Sequence, residues 1–205
     1  FVWQTGGDLN DYATSGATAL AYLRGLIDDG SMSEAVSNYT QEDARTQFIT
    51  GKSAMMINGP WELSTLAKDA QFDWDVAPLP KDKRAATSMG GENVVVMNGA
   101  KQSDAAVKLA KFLTSAEGAK IYCDGSGQLS SRPDLQGKLK LSNDAKLKVF
   151  ESQLADAHAR AYGKDYPKIS EAIQLSMQEA LTGASTPEAA AKKAADSINP
   201  LLPKK

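Results

Sequence analysis

Two short turns hold the residue types best suited to chemistry in this chain. In Asn58-Gly59-Pro60-Trp61-Glu62 an indole and a carboxylate sit where an apolar run meets a proline. In Met89-Gly90-Gly91-Glu92-Asn93 a carboxylate and an amide stand directly before the run Val94-Val95-Val96-Met97. An indole offers a flat apolar face, while carboxylates and amides engage several hydrogen-bonding groups at once. Neighbouring glycines let a ligand approach the backbone. The combination suits a saccharide ring, whose C–H face stacks on indole by dispersion and whose hydroxyls are met by bidentate partners. Each turn also has a plain structural reading. Trp61 can be a core residue covering a sheet, and Gly90-Gly91 can be a simple turn.

Other chemistries are poorly supplied. His158 falls in Ala157-His158-Ala159-Arg160, within an expected helix, and Cys123 lies near a helix end with no activating partner in the sequence. No serine stands in a G-x-S-x-G turn. Acids occur singly or as helix-starting pairs, without H-E-x-x-H or calcium-loop spacing, so neither a metal nor a cofactor is expected. Gly6-Gly7 and Gly90-Gly91 are bare pairs, and the run after Gly91 has a strand pattern where a phosphate cradle needs a helix. Glu62 and Glu92 could act as the paired carboxylates of a glycoside hydrolase. Aromatic residues, at 7%, are few for the substrate surface of such an enzyme.

Composition narrows the class. With 205 residues, 42% of them hydrophobic, the chain can build one good core or two small ones. Lys plus Arg is 23 against 25 Asp plus Glu, a net charge of −2, so the basic surplus of a nucleic-acid binder is lacking. One cysteine rules out a disulfide framework and fits an extracytoplasmic protein that avoids stray disulfides. No apolar run approaches the length of a membrane span.

Positioning these turns requires an alternation of strands and helices. Leu20, Leu23, Leu26 and Ile27 recur at helical spacing over 17–27, and Asp28-Asp29-Gly30 stops that helix. Thr40 to Asp43 reads as a capping box opening a second helix, which closes at Gly51. Ala54–Ile57, Trp74–Pro80 and Val94–Met97 read as three strands. A short helix follows Pro60, over 61–66. Ser103 and Ser115 are expected helix caps, and 125–132 reads as a loop. The remainder is expected to be helical over 143–161, 169–181 and 186–198, the last opening with Thr186-Pro187-Glu188. Few strands and many helices make the class α/β. The terminal Pro203-Lys204-Lys205 is expected to lack order.

The order of motifs resembles family 1 extracellular solute-binding proteins, the sugar receptors of ABC importers, to which maltose-binding protein belongs. Phe48 to Leu63 is similar to the family's F-x-x-G-K-x-A-M-x-x-x-G-P-W segment. Val76-Ala77-Pro78-Leu79-Pro80, Gly90-Gly91-Glu92-Asn93 and Ala110 to Gly118 resemble its V-x-P-L-P strand end, G-G loop and K-F-L-x-S-x-E helix pair. Gly6-Gly7 and the helix ending at Gly30 resemble the stretch upstream.

The resemblance implies a periplasmic-binding-protein type II-like fold, with two α/β lobes that close on a sugar by a hinge motion. It implies that the chain is the C-terminal half of such a receptor. Residues 1–89 and 133–205 would form most of the C-terminal lobe, and 90–132 would cross into the N-terminal lobe and return. Phe1-Val2-Trp3 would then be the interior of a helix whose earlier part is gone. The implied partners are a sugar, the membrane permease subunits of the importer and the missing N-terminal half, and the implied location is extracytoplasmic. Trp61 matches the stacking tryptophan, and Gly90, Gly91, Glu92 and Asn93 match the loop lining the cleft. Arg132 resembles the polar stretch of the return crossing, and Trp3 lies near a segment that supplies cleft residues in some members. One departure is Ile173, which stands where maltose-binding protein carries a second stacking tryptophan and so leaves the sugar open. The rival readings are a carbohydrate-active enzyme using Glu62 or Glu92, and a truncated interaction domain.

Overall fold

The structure is a computed structural model that describes residues 1–160 and 162–203. In chain order its helices are α1 (Tyr12–Asp28), α2 (Gln41–Ile49), α3 (Leu63–Asp69), α4 (Ser103–Leu113), α5 (Ala116–Ser126), α6 (Ala145–Gln153), α7 (Tyr166–Leu181) and α8 (Pro187–Ile198). Strand β1 (Thr87–Met89) precedes α4, and β2 (Ala157–Ala159) follows α6. The chain divides into two compact units. One comprises Phe1–Ala44, Leu79–Met89 and Ala155–Lys205, and the other Arg45–Pro78 and Gly90–Leu154. Both units are discontinuous in sequence.

The first unit is built around α1, α7 and α8. The Asp8 carboxylate accepts from Leu9 N–H, and Asp11 accepts from Asp8 N–H, a reciprocal cap that leads into α1. Thr186 caps α8 through Ala189 N–H, and Pro187 fills its first turn, as the sequence pattern predicts. On α8 the spacing of Ala190, Ala191, Ala194, Ala195 and Ile198 puts small side chains on one buried face. These pack with Leu9, Tyr12, Leu20, Ile169 and Ala180 into a single cluster. Alanine's single methyl holds neighbouring helices apart less than any larger side chain, which suits the close packing of α8 in this cluster. Within this core the Tyr12 hydroxyl shares a 2.9 Å hydrogen bond with Ser176 Oγ. Strands β1 and β2 pair in parallel, with Ser88 opposite His158.

The second unit is smaller-cored. Leu63 and Leu66 of α3 are buried, as are Cys123 of α5 and Leu147 of α6. Ser115 caps α5 through Gly118 N–H, and Gly127, at φ +72°, ends it in the left-handed region that glycine tolerates. Helix α4 starts at Ser103 itself, after Gln102, so the expected serine cap is not formed there.

Two expectations are corrected. Ala54–Ile57, Trp74–Pro80 and Val94–Met97 form no ladder among the described residues. Met55, Val95 and Met97 are 83%, 71% and 73% exposed. Their apolar runs favour extended backbone, but a strand exists only when a neighbour supplies the matching N–H and C=O groups. The helix expected over 143–161 stops at Gln153, and His158 lies in β2 (Ala161 is outside the described residues). Ala157-His158-Ala159 suits a helix by propensity, yet pairing with β1 outweighs a preference of a few tenths of a kcal/mol per residue, about the scale of such propensities.

Candidate functional site

The turn after Asn58 is the most closely built of the expected features. Gly59 accepts from Glu62 N–H, and Pro60 opens a 3₁₀ turn over Pro60–Glu62 that runs directly into α3. The half-buried Trp61 ring folds back over Gly59, where any Cβ would lie 2.1 Å from ring atom Cη2. Behind it, Gly127 packs against the turn so closely that its Cβ would meet Pro60 O at 3.2 Å and Trp61 Cα at 3.3 Å. The indole therefore stands on a backbone that is held from two sides. Trp61 is not a fully buried core residue.

Glu62 is buried and paired. Its side chain is 4% exposed, and Oε2 lies 3.2 Å from Nη1 of Arg45 on α2. A carboxylate so placed is engaged by a cation inside the protein rather than presented on the surface. Arg45 was not legible as a partner, because seventeen residues separate it from Glu62. The Gly90–Asn93 loop is exposed throughout. No hydrogen bond, ion pair or ring contact among the described residues joins it to Trp61. Arg132 is committed locally: its guanidinium makes a bidentate pair with Asp134, both distances 3.0 Å, and Nη1 donates to Thr114 O at the end of α4.

In the first unit, Trp3 is the centre of a second cluster. Its indole N–H donates to Asp8 Oδ1 at 3.0 Å and to the Tyr162 hydroxyl at 3.2 Å. The Tyr162 hydroxyl donates to the same Asp8 oxygen. The His158 ring stacks on Trp3, with centroids 4.8 Å apart and 22° between planes. Arg84 donates to Trp3 O and Gly7 O and so fixes the turn that carries the indole. That turn is a 3₁₀ turn over Trp3–Thr5, not the α-helical interior expected of the first residues. Burial acts to raise the Asp8 pKa, but the Tyr162 hydroxyl, Leu9 N–H, Trp3 N–H and the Arg84 charge outweigh it and hold the carboxyl below its ordinary value. Burial and the Asp8 carboxylate push the Tyr162 hydroxyl well above the usual tyrosine range. Asp8, Arg84 and Tyr162 escape sequence reasoning; the Asp8 to Asp11 spacing signals only a cap. Ile173 packs against the core of this unit.

Cys123 is buried, and burial pushes its thiol pKa above the ordinary value. His158 is occupied as a stacking partner of Trp3. Among the described residues no group of His, Cys, Asp and Glu could hold a metal ion, and no helix is long and apolar enough to cross a membrane.

Known proteins place the chain. Residues 1–149 match the family described as bacterial extracellular solute-binding protein, and the chain belongs to it. The chain is similar to a maltooligosaccharide ABC transporter solute-binding lipoprotein of Streptococcus pneumoniae, 31% identical over 49% of this chain and 24% of that protein. Among solved structures it resembles maltose-bound MalE3 of T. maritima, with a TM-score of 0.82, 29% identity and cover of 98% of this chain and 56% of that one. It also resembles an ABC transporter solute-binding protein of Thermotoga lettingae bound with α-D-tagatose, with a TM-score of 0.83, 32% identity and cover of 99% and 55%. The fold is therefore that of the periplasmic binding proteins, and the family is one of binding proteins rather than enzymes. The chain spans about half the length of the curated relatives it matches end to end.

Proposed function

We propose that this chain is part of an extracytoplasmic sugar receptor, periplasmic or lipid-anchored, that delivers a di- or oligosaccharide to the membrane permease of an ABC importer. The observation that carries the reading is the Trp61 indole, half-buried and held on the rigid Gly59-Pro60 turn. A sugar ring would stack on the indole, and the exposed Glu92 and Asn93 would meet hydroxyls. Gly90 and Gly91 would let the ligand approach the backbone of that loop. Trp3 and Arg132 would be further sugar contacts. Relatives named for maltooligosaccharide, maltose and tagatose support carbohydrate as the ligand class.

The remaining length of such a receptor, an N-terminal half, would supply the strands that 54–57 and 94–97 lack. Met55, Ile57, Val94, Val95, Val96 and Met97 present the apolar side chains that such strands would cover. Tryptophan fluorescence titration of the full-length receptor against a sugar panel tests the function. A saturable change with at least one sugar supports it. Silence toward every carbohydrate, with clear binding of a peptide, metal or anion, would overturn it.

A further inference from the structure

The Arg45–Glu62 ion pair spans from α2 to the 3₁₀ turn over Pro60–Glu62. Nη1 and Oε2 are 3.2 Å apart, with the Glu62 side chain 4% and the Arg45 side chain 28% exposed. Burying a carboxylate costs free energy that a close cation only offsets, so such a pair contributes more to where a segment sits than to net stability. Glu62 ends the turn whose middle residue is Trp61, and the pair ties that turn back to α2 across the stretch 50–59. From behind, Gly127 meets Pro60 and Trp61 backbone, and Gly59 leaves the space that the ring occupies. The turn is thereby fixed at its carboxylate, its backbone and its ring.

We propose that Arg45 and Glu62 are positioning residues for Trp61: their buried ion pair holds the indole in the orientation presented to a sugar. The inference rests on Trp61 being the stacking residue. It deepens that reading by assigning Glu62, in sequence terms a ligand contact or an acid catalyst, to the support of its neighbour.

Fluorotryptophan incorporated into the intact protein gives fluorine NMR lines for Trp3, Trp61 and Trp74, assigned by Trp→Phe replacements. In Arg45→Met and Glu62→Gln the Trp61 line broadens or splits, because the indole samples more than one orientation, while Trp3 and Trp74 keep single sharp lines. Arg45→Lys, which retains the charge, restores a single Trp61 line. Maltose affinity falls several-fold in the two neutralising variants and recovers in Arg45→Lys. A single sharp Trp61 line in Glu62→Gln overturns the proposal, as does equal broadening of the Trp3 and Trp74 lines. Should Arg45→Met fail to fold, the near-isosteric Glu62→Gln decides alone. A split Trp61 line with unchanged maltose affinity refutes the sugar site at Trp61 and leaves the positioning role standing.

Discussion

The Trp61 indole lies over the Cα of Gly59. A Cβ on Gly59 would stand 2.1 Å from Cη2, 2.2 Å from Cζ3 and 2.4 Å from Cζ2 of the ring. Gly59 itself has φ −115° and ψ 174°, extended backbone that alanine adopts without strain. Gly59→Ala therefore acts first on the ring, whose atoms are the nearest that a Cβ would meet. The variant is expected to melt close to the wild type and to bind sugar several-fold more weakly, because the indole must swing away. Calorimetric titration beside a thermal melt checks both halves; unaltered affinity would mean that the ring's seat on Gly59 is irrelevant to binding.

Asp8 ties Trp3 to Tyr162, and its carboxyl is held below the ordinary value of 3.8. A carboxyl whose folded pKa is depressed stabilises the fold above its unfolded pKa, and that contribution is lost as pH falls through the folded value. The Tm gap between wild type and Asp8→Asn should thus be full at neutral pH and shrink once pH drops below 3.8. Thermal melts over a pH series read it directly. A gap that stays constant into strong acid would show that the Asp8 charge adds nothing.

Ala191 is 0% exposed on the α8 face that packs into the core of the first unit. Leucine there has no space to occupy, and overpacking of this kind costs about 1–3 kcal/mol. Ala191→Leu should lower the urea midpoint, while Ala189→Leu on the exposed face of the same helix should leave it nearly unchanged. Equal effects at the two positions would argue against the close packing of α8.

Helices were legible in the sequence wherever local chemistry decides them. Thr186-Pro187-Glu188 opens α8, Ser115 caps α5, and Thr40 with Asp43 forms the expected capping box. Strands were not, because pairing is decided by partners remote in the chain. Val94–Met97 has the composition of a strand and no ladder, whereas Ala157–Ala159 has the composition of a helix and pairs with β1. The site divides in the same way. The turn that carries Trp61 was legible from Gly59-Pro60-Trp61 itself. Glu62 could not be placed without Arg45, nor Trp3 without Asp8 and Tyr162, since those partners are fixed only by the tertiary fold.

The stacking role of Trp61 is tested most directly by calorimetric titration of the full-length receptor and its Trp61→Ala variant with maltose, maltotriose and tagatose. Loss of a stacking contact of about 1 kcal/mol lowers affinity roughly fivefold. The expected result is saturable binding of at least one sugar by the wild type and at least that loss in the variant, with the melting temperature retained. Equal affinities in two equally folded proteins would contradict a sugar site built on Trp61.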